Sequence, residues 1–269
     1  MTILVTGATD GIGTQTAYEL AKRGHHVVVH GRSAARVDAT KAELARRVAG
    51  VAGAKIDGVV FDLASLAAVR AGAARVLAEH PALEVLVNNA GVFSHERQVT
   101  VDGFELSFAV NHLAHFLLTE LLLVRMIESA PARVVNVSSQ AHQGGQLRLD
   151  DLQSTRGYSG FGAYAAAKLA NVLHAKALAA RVDARVLTAN SLHPGVIGTK
   201  LLKEGWGASG GTLEQGARTS VYCALEPKLE GVSGRYFSDG REARPSAAAQ
   251  DARLAAELEA ASRKLVGLG

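Results

Sequence analysis

Short apolar, β-branched runs alternate with Ala-rich helical stretches along the chain, and this alternation limits the possible folds most. The runs predict strands at residues 3–6, 27–30, 59–61, 83–87, 133–137, 186–192 and 235–237. Strands that are apolar along their whole length are buried on both faces. Helical connections between such strands give a parallel sheet of about seven strands, with helices on both faces.

The stretches between the runs carry helix signals. Gly24 is a natural stop for the first predicted helix, and Ser33 and Ser65 are placed to begin later ones. The predicted helices cover residues 12–23, 33–48, 65–80, 104–128, 161–181, 213–224 and 246–265. No linker or repeat divides the chain, so we predict an α/β fold with one doubly wound Rossmann-type domain over residues 1–269.

The charge of the chain favours a small anionic ligand over nucleic acid. The net charge is +4, but basic and acidic residues are interspersed and no basic tail is present. The only cysteine, Cys223, excludes an intramolecular disulfide. The N-terminus lacks a signal-peptide pattern, and the apolar stretch 117–127 is interrupted by Glu120 and Arg125. We therefore expect a cytoplasmic protein without a membrane segment.

A glycine-rich turn lies between the first predicted strand and the first predicted helix. Gly7, Gly11 and Gly13 let the backbone turn tightly and approach a ligand closely. Glycines also occur in ordinary turns. However, the helix start supplies free N–H groups and a partial positive charge, which suit a pyrophosphate. The position of the turn therefore predicts a dinucleotide site.

The end of the second predicted strand indicates which dinucleotide is bound. NAD enzymes place a carboxylate there for the ribose 2′-OH, whereas this chain has His30-Gly31-Arg32-Ser33. The Arg32 guanidinium suits a 2′-phosphate. Arg32 could instead be a solvated charge, although a cation at a helix start is unfavourable. The pattern favours NADP(H), with NAD the less favoured cofactor.

Tyr164 and Lys168 are four residues apart in a predicted helix, so both side chains lie on one face. A phenol, with a pKa of about 10, is a poor base at neutral pH. A neighbouring ammonium favours the phenolate and lowers that pKa. Ser138 and Ser139 end the fifth strand, and Asn111 is a polar residue within an apolar helix that needs a partner or a function.

These motifs together resemble those of the short-chain dehydrogenase/reductase family. The resemblance rests on three features: the pattern Gly-x-x-x-Gly-x-Gly that begins at Gly7, the sequence Asn88-Asn89-Ala90-Gly91, and the set Asn111, Ser139, Tyr164 and Lys168. The resemblance implies that Ser139 bonds the substrate oxygen and Tyr164 exchanges the proton. It also implies that Lys168 lowers the tyrosine pKa and holds the nicotinamide ribose, while Asn111 positions a water. Ser138 is not assigned a catalytic role.

The resemblance also implies a set of cofactor contacts. Asp62 is either the adenine contact of the family or a helix-start residue. The implied contacts are Gly7, Thr9, Asp10, Gly11, Ile12, Gly13, Arg32, Asp62, Leu63, Asn89, Ala90, Gly91, Tyr164, Lys168, Pro194, Gly195, Ile197 and Thr199.

Within the family, the chain is most similar to the retinol dehydrogenase and WW-domain oxidoreductase groups, although it shows neither a WW domain nor a membrane anchor. The gap from Ser139 to Tyr164 is longer than is common. We expect the loops 140–160 and 196–212 to form substrate walls. Leu201, Leu202 and Trp206 are either an apolar lid over the site or part of a mobile surface loop.

Two other patterns leave alternatives open. His112 and His115 share a helix face without an acidic or cysteine partner, so we predict polar or packing contacts and no metal site. The apolar surface of the helix 104–128 indicates either a homo-oligomer interface or deep burial.

The predicted function is hydride transfer between NADP(H) and a carbonyl or alcohol carbon of a small, apolar substrate. The alternatives are a cofactor-binding sensor without catalysis and a double-bond reductase on the same scaffold.

Overall fold

The computed structural model describes all residues 1–269 and contains one eight-stranded sheet. Its strands are β1 (Thr2–Val5), β2 (His26–Gly31), β3 (Lys55–Val60), β4 (Val85–Asn88), β5 (Ala132–Val137), β6 (Leu187–His193), β7 (Tyr236–Ser238) and β8 (Arg241–Glu242). They are arranged in the order β3-β2-β1-β4-β5-β6-β7-β8. All neighbouring pairs are parallel except β7 and β8, which are antiparallel. The predicted doubly wound α/β fold is confirmed, and the two-residue β8 is an addition to it.

Helices cover both faces of the sheet. They are α1 (Gly11–Ala21), α2 (Ala34–Arg47), α3 (Leu66–Glu79), α4 (Leu106–Phe108), α5 (Ala114–Glu128), α6 (Gly160–Arg181), α7 (Lys200–Trp206), α8 (Leu213–Leu225), α9 (Ala247–Gln250) and α10 (Ala252–Leu265). One apolar core joins the sheet to α1, α2 and α8, and the other joins it to α3, α5 and α6. Val27 and Val29 of β2 enter the first core and Val28 enters the second, because successive side chains of a strand alternate between faces.

Two boundaries differ from the prediction for identifiable reasons. Strand β3 begins at Lys55 rather than at residue 59, because it is the edge strand and its first half carries polar residues. The predicted C-terminal helix is divided at Asp251, whose carboxylate accepts hydrogen bonds from Arg253 N and Leu254 N and so begins α10. Apolar runs alone do not reveal either feature.

The predicted long helix 104–128 contains a π-helical turn, Ala109–Leu113, between α4 and α5. Such turns are rare and are frequently found at functional sites. By length and composition Leu106–Glu128 is sufficient to cross a membrane, but 78% of its most apolar window is buried inside the molecule. The apolar surface of this helix is thus mostly explained by burial within one chain, although Val124 and Ile127 remain exposed.

His112 and His115 are both buried, and they bond to different partners. His112 Nε2 lies 2.9 Å from Ser262 Oγ of α10. His115 Nε2 lies 2.9 Å from Thr6 Oγ1 at the end of β1, and its Nδ1 lies 3.1 Å from the Asn111 carbonyl oxygen. The two imidazoles therefore connect separate parts of the core through polar contacts.

We predict that the buried histidines make the stability of the fold depend on pH. Burial lowers the pKa of His30 to about 4 and the pKa values of His112 and His115 to about 3. The unfolded chain then binds more protons than the folded chain below about pH 6.5. The free energy of unfolding in urea should fall between pH 7 and pH 5, by about 2 kcal/mol for each of these residues.

The matched variant is His112→Gln, which cannot take up a proton. It should show a smaller fall than the wild-type protein over the same pH range. A wild-type free energy of unfolding that is the same at pH 7 and pH 5 would contradict this account.

Candidate active site

The turn between β1 and α1 is packed too closely for any side chain at two of its glycines. Gly7 has φ +63°, and a Cβ there would lie 2.8 Å from Ala90 Cα. A Cβ on Gly13 would lie 2.2 Å from the Gly7 carbonyl oxygen. The turn is therefore pressed against the segment that follows β4, and its backbone is open toward the cleft.

Thr6 joins these two segments. Its Oγ1 accepts hydrogen bonds from Asn89 N at 2.8 Å and Ala90 N at 3.0 Å. The Asn89 side chain donates in return to the Thr6 carbonyl oxygen at 2.8 Å. Since His115 also contacts the Thr6 hydroxyl, a buried side chain of α5 steadies the same point. Asn89 and Ala90 thus define the shape of the turn as well as the wall of the cleft.

His30 connects the carboxyl ends of three strands, a role that the sequence analysis missed. Its Nδ1 accepts from Gly7 N at 3.1 Å, and its Nε2 lies 3.0 Å from the Phe61 carbonyl oxygen. Burial lowers the pKa of His30 to about 4, so the imidazole is neutral and can accept at one nitrogen while it donates at the other. The sequence signal that could have revealed this role is a polar residue at the end of a buried strand.

The end of β2 carries Gly31 where an NAD site would place a carboxylate, and a side chain there would have to displace Thr9. A Cβ on Gly31 would lie 2.6 Å from Thr9 Cγ2. The following Arg32 is exposed and makes no hydrogen bond or ion pair within the chain. Arg36 donates to the Thr9 carbonyl oxygen and to Asp10 Oδ2, both at 3.0 Å. Two guanidinium groups therefore border this end of the cleft.

Ser33 and Arg36 were not predicted as site residues. Both line the cleft. Arg32 precedes the N-cap Ser33, and Arg36 lies in the first turn of α2. A cation in the first turn of a helix, where the helix dipole disfavours it, was the sequence signal that could have revealed Arg36.

A cleft of about 670 Å³ connects the turn to Tyr164 and Lys168, within the usual range for small-molecule sites. The other two predicted catalytic residues, Asn111 and Ser139, are not on its wall, whereas Ser138 is. The predicted cofactor residues on its wall are Gly7, Thr9, Asp10, Gly11, Ile12, Gly13, Arg32, Asp62, Leu63, Asn89, Ala90, Gly91, Tyr164, Lys168, Pro194 and Thr199. Gly195 and Ile197 lie outside this wall. The Ile197 side chain packs instead near Gly216, where a Cβ would lie 2.9 Å from Ile197 Cγ1.

Tyr164 and Lys168 lie one turn apart on α6, both buried and both on the cleft wall. Ser159 begins this helix by accepting from Gly162 N. Lys168 Nζ donates to the Val137 carbonyl oxygen at 3.0 Å and lies 5.6 Å from the centre of the Tyr164 ring. The predicted juxtaposition of phenol and ammonium is thus present in the fold.

Burial dominates the charge state of this pair, which differs from the expectation that Lys168 lowers the tyrosine pKa. Burial raises the pKa of Tyr164 to about 12, and the Ser139 hydroxyl only partly offsets the rise. Burial also lowers the pKa of Lys168 to about 8. The groups of the protein alone therefore leave the phenol protonated at neutral pH.

Asn111 lies in the π-helical turn and holds the segment after β4. Its Oδ1 accepts from Val92 N at 2.7 Å, and its Nδ2 donates to the Val92 carbonyl oxygen at 2.9 Å. A Cβ on Gly91 would lie 3.4 Å from Lys168 Nζ and 3.6 Å from Asn111 Oδ1. Asn111 and Lys168 therefore meet beside Gly91, and the Asn111 amide is engaged by backbone.

The two serines at the end of β5 differ in their contacts. Ser138 Oγ donates to the Lys168 carbonyl oxygen at 2.6 Å, which ties β5 to α6. Ser139 Oγ accepts from Ala141 N at 3.2 Å and lies beside the Tyr164 hydroxyl. Of the two serines, Ser139 is the one beside the Tyr164 hydroxyl, whereas Ser138 is the one on the cleft wall.

Aromatic rings cover the catalytic end of the cleft. The Trp206 ring centre lies 4.7 Å from that of Phe93 and 5.3 Å from that of Tyr164. Trp206 is the last residue of α7. Thr199 is the N-cap of this helix, and its Oγ1 accepts from Leu202 N at 3.2 Å. The segment 196–212 thus contains a short helix over the cleft. Phe93 was not predicted, although it follows the Asn-Asn-Ala-Gly motif by only two residues.

Comparisons with known proteins agree with this geometry. A family model described as short chain dehydrogenase matches residues 1–208. Human retinol dehydrogenase 14 is 41% identical to this chain over 291 aligned positions, covering 99% of this chain and 86% of that protein. Human retinol dehydrogenase 12 is also 41% identical, with 99% and 86% covered. The similarity therefore extends beyond the glycine-rich turn.

Solved structures share the fold. A crystal structure of an uncharacterized protein from Mycobacterium paratuberculosis covers 99% of this chain and 93% of its own, with a TM-score of 0.80 and 33% identity. A crystal structure described as an NAD(P) dependent gluconate 5-dehydrogenase from Beutenbergia cavernae, with bound NADP at low occupancy, has a TM-score of 0.72 and 26% identity. It covers 88% of this chain and 94% of its own.

We predict that Gly13→Ala disrupts the turn and with it dinucleotide binding. The new methyl group meets the Gly7 carbonyl oxygen, so the backbone must shift at a cost of about 1–3 kcal/mol. Binding of NADPH, followed by fluorescence titration, should weaken at least tenfold. In the control Gly144→Ala the new Cβ meets nothing within 4 Å, and binding should be unchanged. Equal binding by both variants would show that the packed turn is not the dinucleotide site.

Proposed function

Because the chain belongs to the short-chain dehydrogenase/reductase family, and is similar to its retinol dehydrogenases as its motifs predicted, we propose that it is an NADP(H)-dependent oxidoreductase. It interconverts a carbonyl and an alcohol in a small, apolar substrate. Tyr164 is the general acid/base, assisted by Lys168, Ser139 and Asn111.

One observation carries this proposal. The phenol of Tyr164 and the ammonium of Lys168 are buried together on the wall of the cleft that also contains the glycine-rich turn. A buried tyrosine beside a lysine is a candidate for proton exchange, because its surroundings control which protonation state is favoured. An isolated Tyr-x-x-x-Lys pair on a helix surface lacks this setting.

The cofactor proposal is supported by the shape and charge of the cleft. The turn at Gly7 and Gly13 excludes side chains, so backbone N–H groups and the start of α1 can approach a pyrophosphate. The free Arg32 guanidinium suits a 2′-phosphate, and Gly31 supplies no carboxylate for a ribose 2′-OH. Bound there, NADP(H) would supply or accept the hydride that the substrate carbon exchanges.

Tyr164 would act in opposite ways in the two directions. With a pKa near 12 from burial, its hydroxyl is protonated at pH 7 and can donate to the oxygen of a carbonyl. In alcohol oxidation the phenolate must form, which a nearby positive charge favours. Lys168, with its pKa lowered to about 8, retains most of its charge at pH 7 and can provide part of this effect.

The substrate proposal rests on the surroundings of Tyr164. Phe93 and Trp206 pack near its ring, and Leu201, Leu106 and Val110 also line the cleft. These side chains favour an apolar substrate, and Ser139 beside the phenol would bond its oxygen. Several relatives are named retinol dehydrogenases, so apolar aldehydes and alcohols should be tested first. We also propose a cytoplasmic location.

We predict that Tyr164→Phe removes turnover and leaves cofactor binding intact. Loss of a general acid/base lowers rates by about 10²–10⁴-fold, while the phenyl ring preserves packing. The assay follows NADPH absorbance with a panel of apolar aldehydes and ketones, and NADPH binding is measured separately. Wild-type turnover by this variant would mean that another group exchanges the proton.

Ser139→Ala provides the companion measurement. A carbonyl reductase should lose most of its kcat, because the substrate oxygen loses a hydrogen bond. The adjacent control Ser138→Ala removes the bond to the Lys168 carbonyl oxygen instead, so its main effect should be on stability. Full activity of Ser139→Ala on an activated alkene would favour double-bond reduction over carbonyl reduction.

We predict that Arg32→Ala weakens NADPH binding much more than NADH binding. A charge-assisted bond to phosphate contributes about 1.5–3 kcal/mol, which corresponds to a change in Kd of roughly 10- to 100-fold. Titrations with both cofactors test this. Arg185→Ala, which removes an exposed arginine that pairs with Asp183, should change neither Kd. Equal losses for NADPH and NADH in Arg32→Ala would remove the assignment of NADP(H).

A further inference from the structure

A second group of titratable side chains lies on the sheet away from the cleft. His26 is the first residue of β2, Asp57 lies within the edge strand β3, and His80 directly follows α3. The pairing register sets His26 opposite Lys55 and Val28 opposite Asp57. Residues two apart on a strand share a face, so His26 and Asp57 point to the same side, where α3 ends.

The potential ligand atoms of these three residues converge. His26 Nε2 lies 2.7 Å from Asp57 Oδ2, and one ligand atom from each residue falls within 4.8 Å of the others. The rings of His26 and His80 are 5.3 Å apart. Three segments, 31 and 23 residues apart along the chain, thus contribute one potential ligand atom each to one point.

His80 brings a third potential ligand from the end of α3. Only 4% of this residue is exposed, and its imidazole is not hydrogen-bonded to the His26–Asp57 pair. One of its ring nitrogens is therefore available to a ligand shared with His26 and Asp57. We propose that His26, Asp57 and His80 form a binding site for a divalent transition-metal ion of the zinc type.

The donor set determines the class of ion. Two imidazole nitrogens and one carboxylate oxygen suit zinc and its neighbours, whereas calcium and magnesium prefer oxygen ligands alone. Zinc ligands lie about 2.0–2.1 Å from the ion, which places them roughly 3.4 Å from one another. The ion would therefore draw His80 closer to the other two residues, and water would complete the fourth position.

Lys55 competes with a metal ion for the carboxylate. Its Nζ lies 2.7 Å from Asp57 Oδ2, and its side chain is 62% exposed. An exposed lysine can turn into solvent at little cost, because ion pairs at the surface are weak. Bound metal would replace the Lys55 ammonium beside Asp57. Removal of Lys55 should consequently tighten metal binding, an effect that a purely structural cluster would not produce.

The site would act on the scaffold rather than on the reaction. His26 lies at the amino end of β2, whereas Gly31 at the other end borders the cleft. Five residues of strand separate them by roughly 16 Å. An ion here would tie the edge strand β3 to β2 and to the end of α3, and it would stabilise the domain when metal is present.

The test is a zinc titration of the full chain without an affinity tag, since a polyhistidine tag would itself bind the ion. Competition with a chromophoric chelator should give one saturable site per chain. At a free zinc concentration of about 100 times Kd, the melting temperature should rise by about 5–10 °C. Absence of a saturable site in the wild-type protein would overturn the proposal.

Variants locate the site. His26→Ala and His80→Asn should each weaken zinc binding at least tenfold, and Lys55→Ala should tighten it. The control His25→Ala removes the neighbouring histidine, which is not part of the cluster, and should bind as the wild type does. Wild-type affinity in His80→Asn would overturn the proposal. The proposal would also be overturned if His25→Ala weakened zinc binding as much as His26→Ala does. We expect Lys55→Ala to bind zinc more tightly than the wild type. This variant therefore still tests the proposal if a histidine variant fails to fold.

Discussion

The close contact between the β1–α1 turn and the segment after β4 is the constraint on which the rest of the site depends. Gly7 and Gly13 allow no Cβ because Ala90 and the Gly7 carbonyl oxygen occupy the space. Thr6 and Asn89 join the two segments by hydrogen bonds at 2.8 Å. The segment after β4 continues to Gly91, which lies beside Asn111 and Lys168. The position of the turn therefore also affects the position of the backbone at the catalytic end of the cleft.

A second constraint is electrostatic. Tyr164 and Lys168 lie side by side, yet each is buried, and burial disfavours the charged form of both. The protein by itself therefore keeps the phenol of Tyr164 protonated at pH 7, while Lys168, with its pKa lowered to about 8, retains most of its charge. A positive charge or a hydrogen-bonding ligand in the cleft would shift this balance, so proton exchange at Tyr164 is linked to what the cleft binds.

The general fold follows from the sequence because parallel strands are buried on both faces and so appear as continuous apolar runs. The edge strand β3 escapes this rule in its first half, where Lys55 and Asp57 face partly into solvent. The π-helical turn around Asn111 is also invisible to hydrophobic periodicity, since all its residues are buried and the helix that follows is apolar and mostly buried, so no polar face marks a change of phase. Local patterns therefore predicted which elements exist better than where they begin or change geometry.

The sequence by itself determined the motifs whose members are adjacent or one helical turn apart: the three glycines, the serine pair, and Tyr164 with Lys168. Their spacing sets a shared face before any packing occurs. Only the tertiary structure decided that Gly31 lies against Thr9, that Phe93 meets Trp206, and that His26, Asp57 and His80 converge. These contacts join segments distant along the chain. The register of the strands and the crossing of the helices place them, and neither is encoded in any one local pattern.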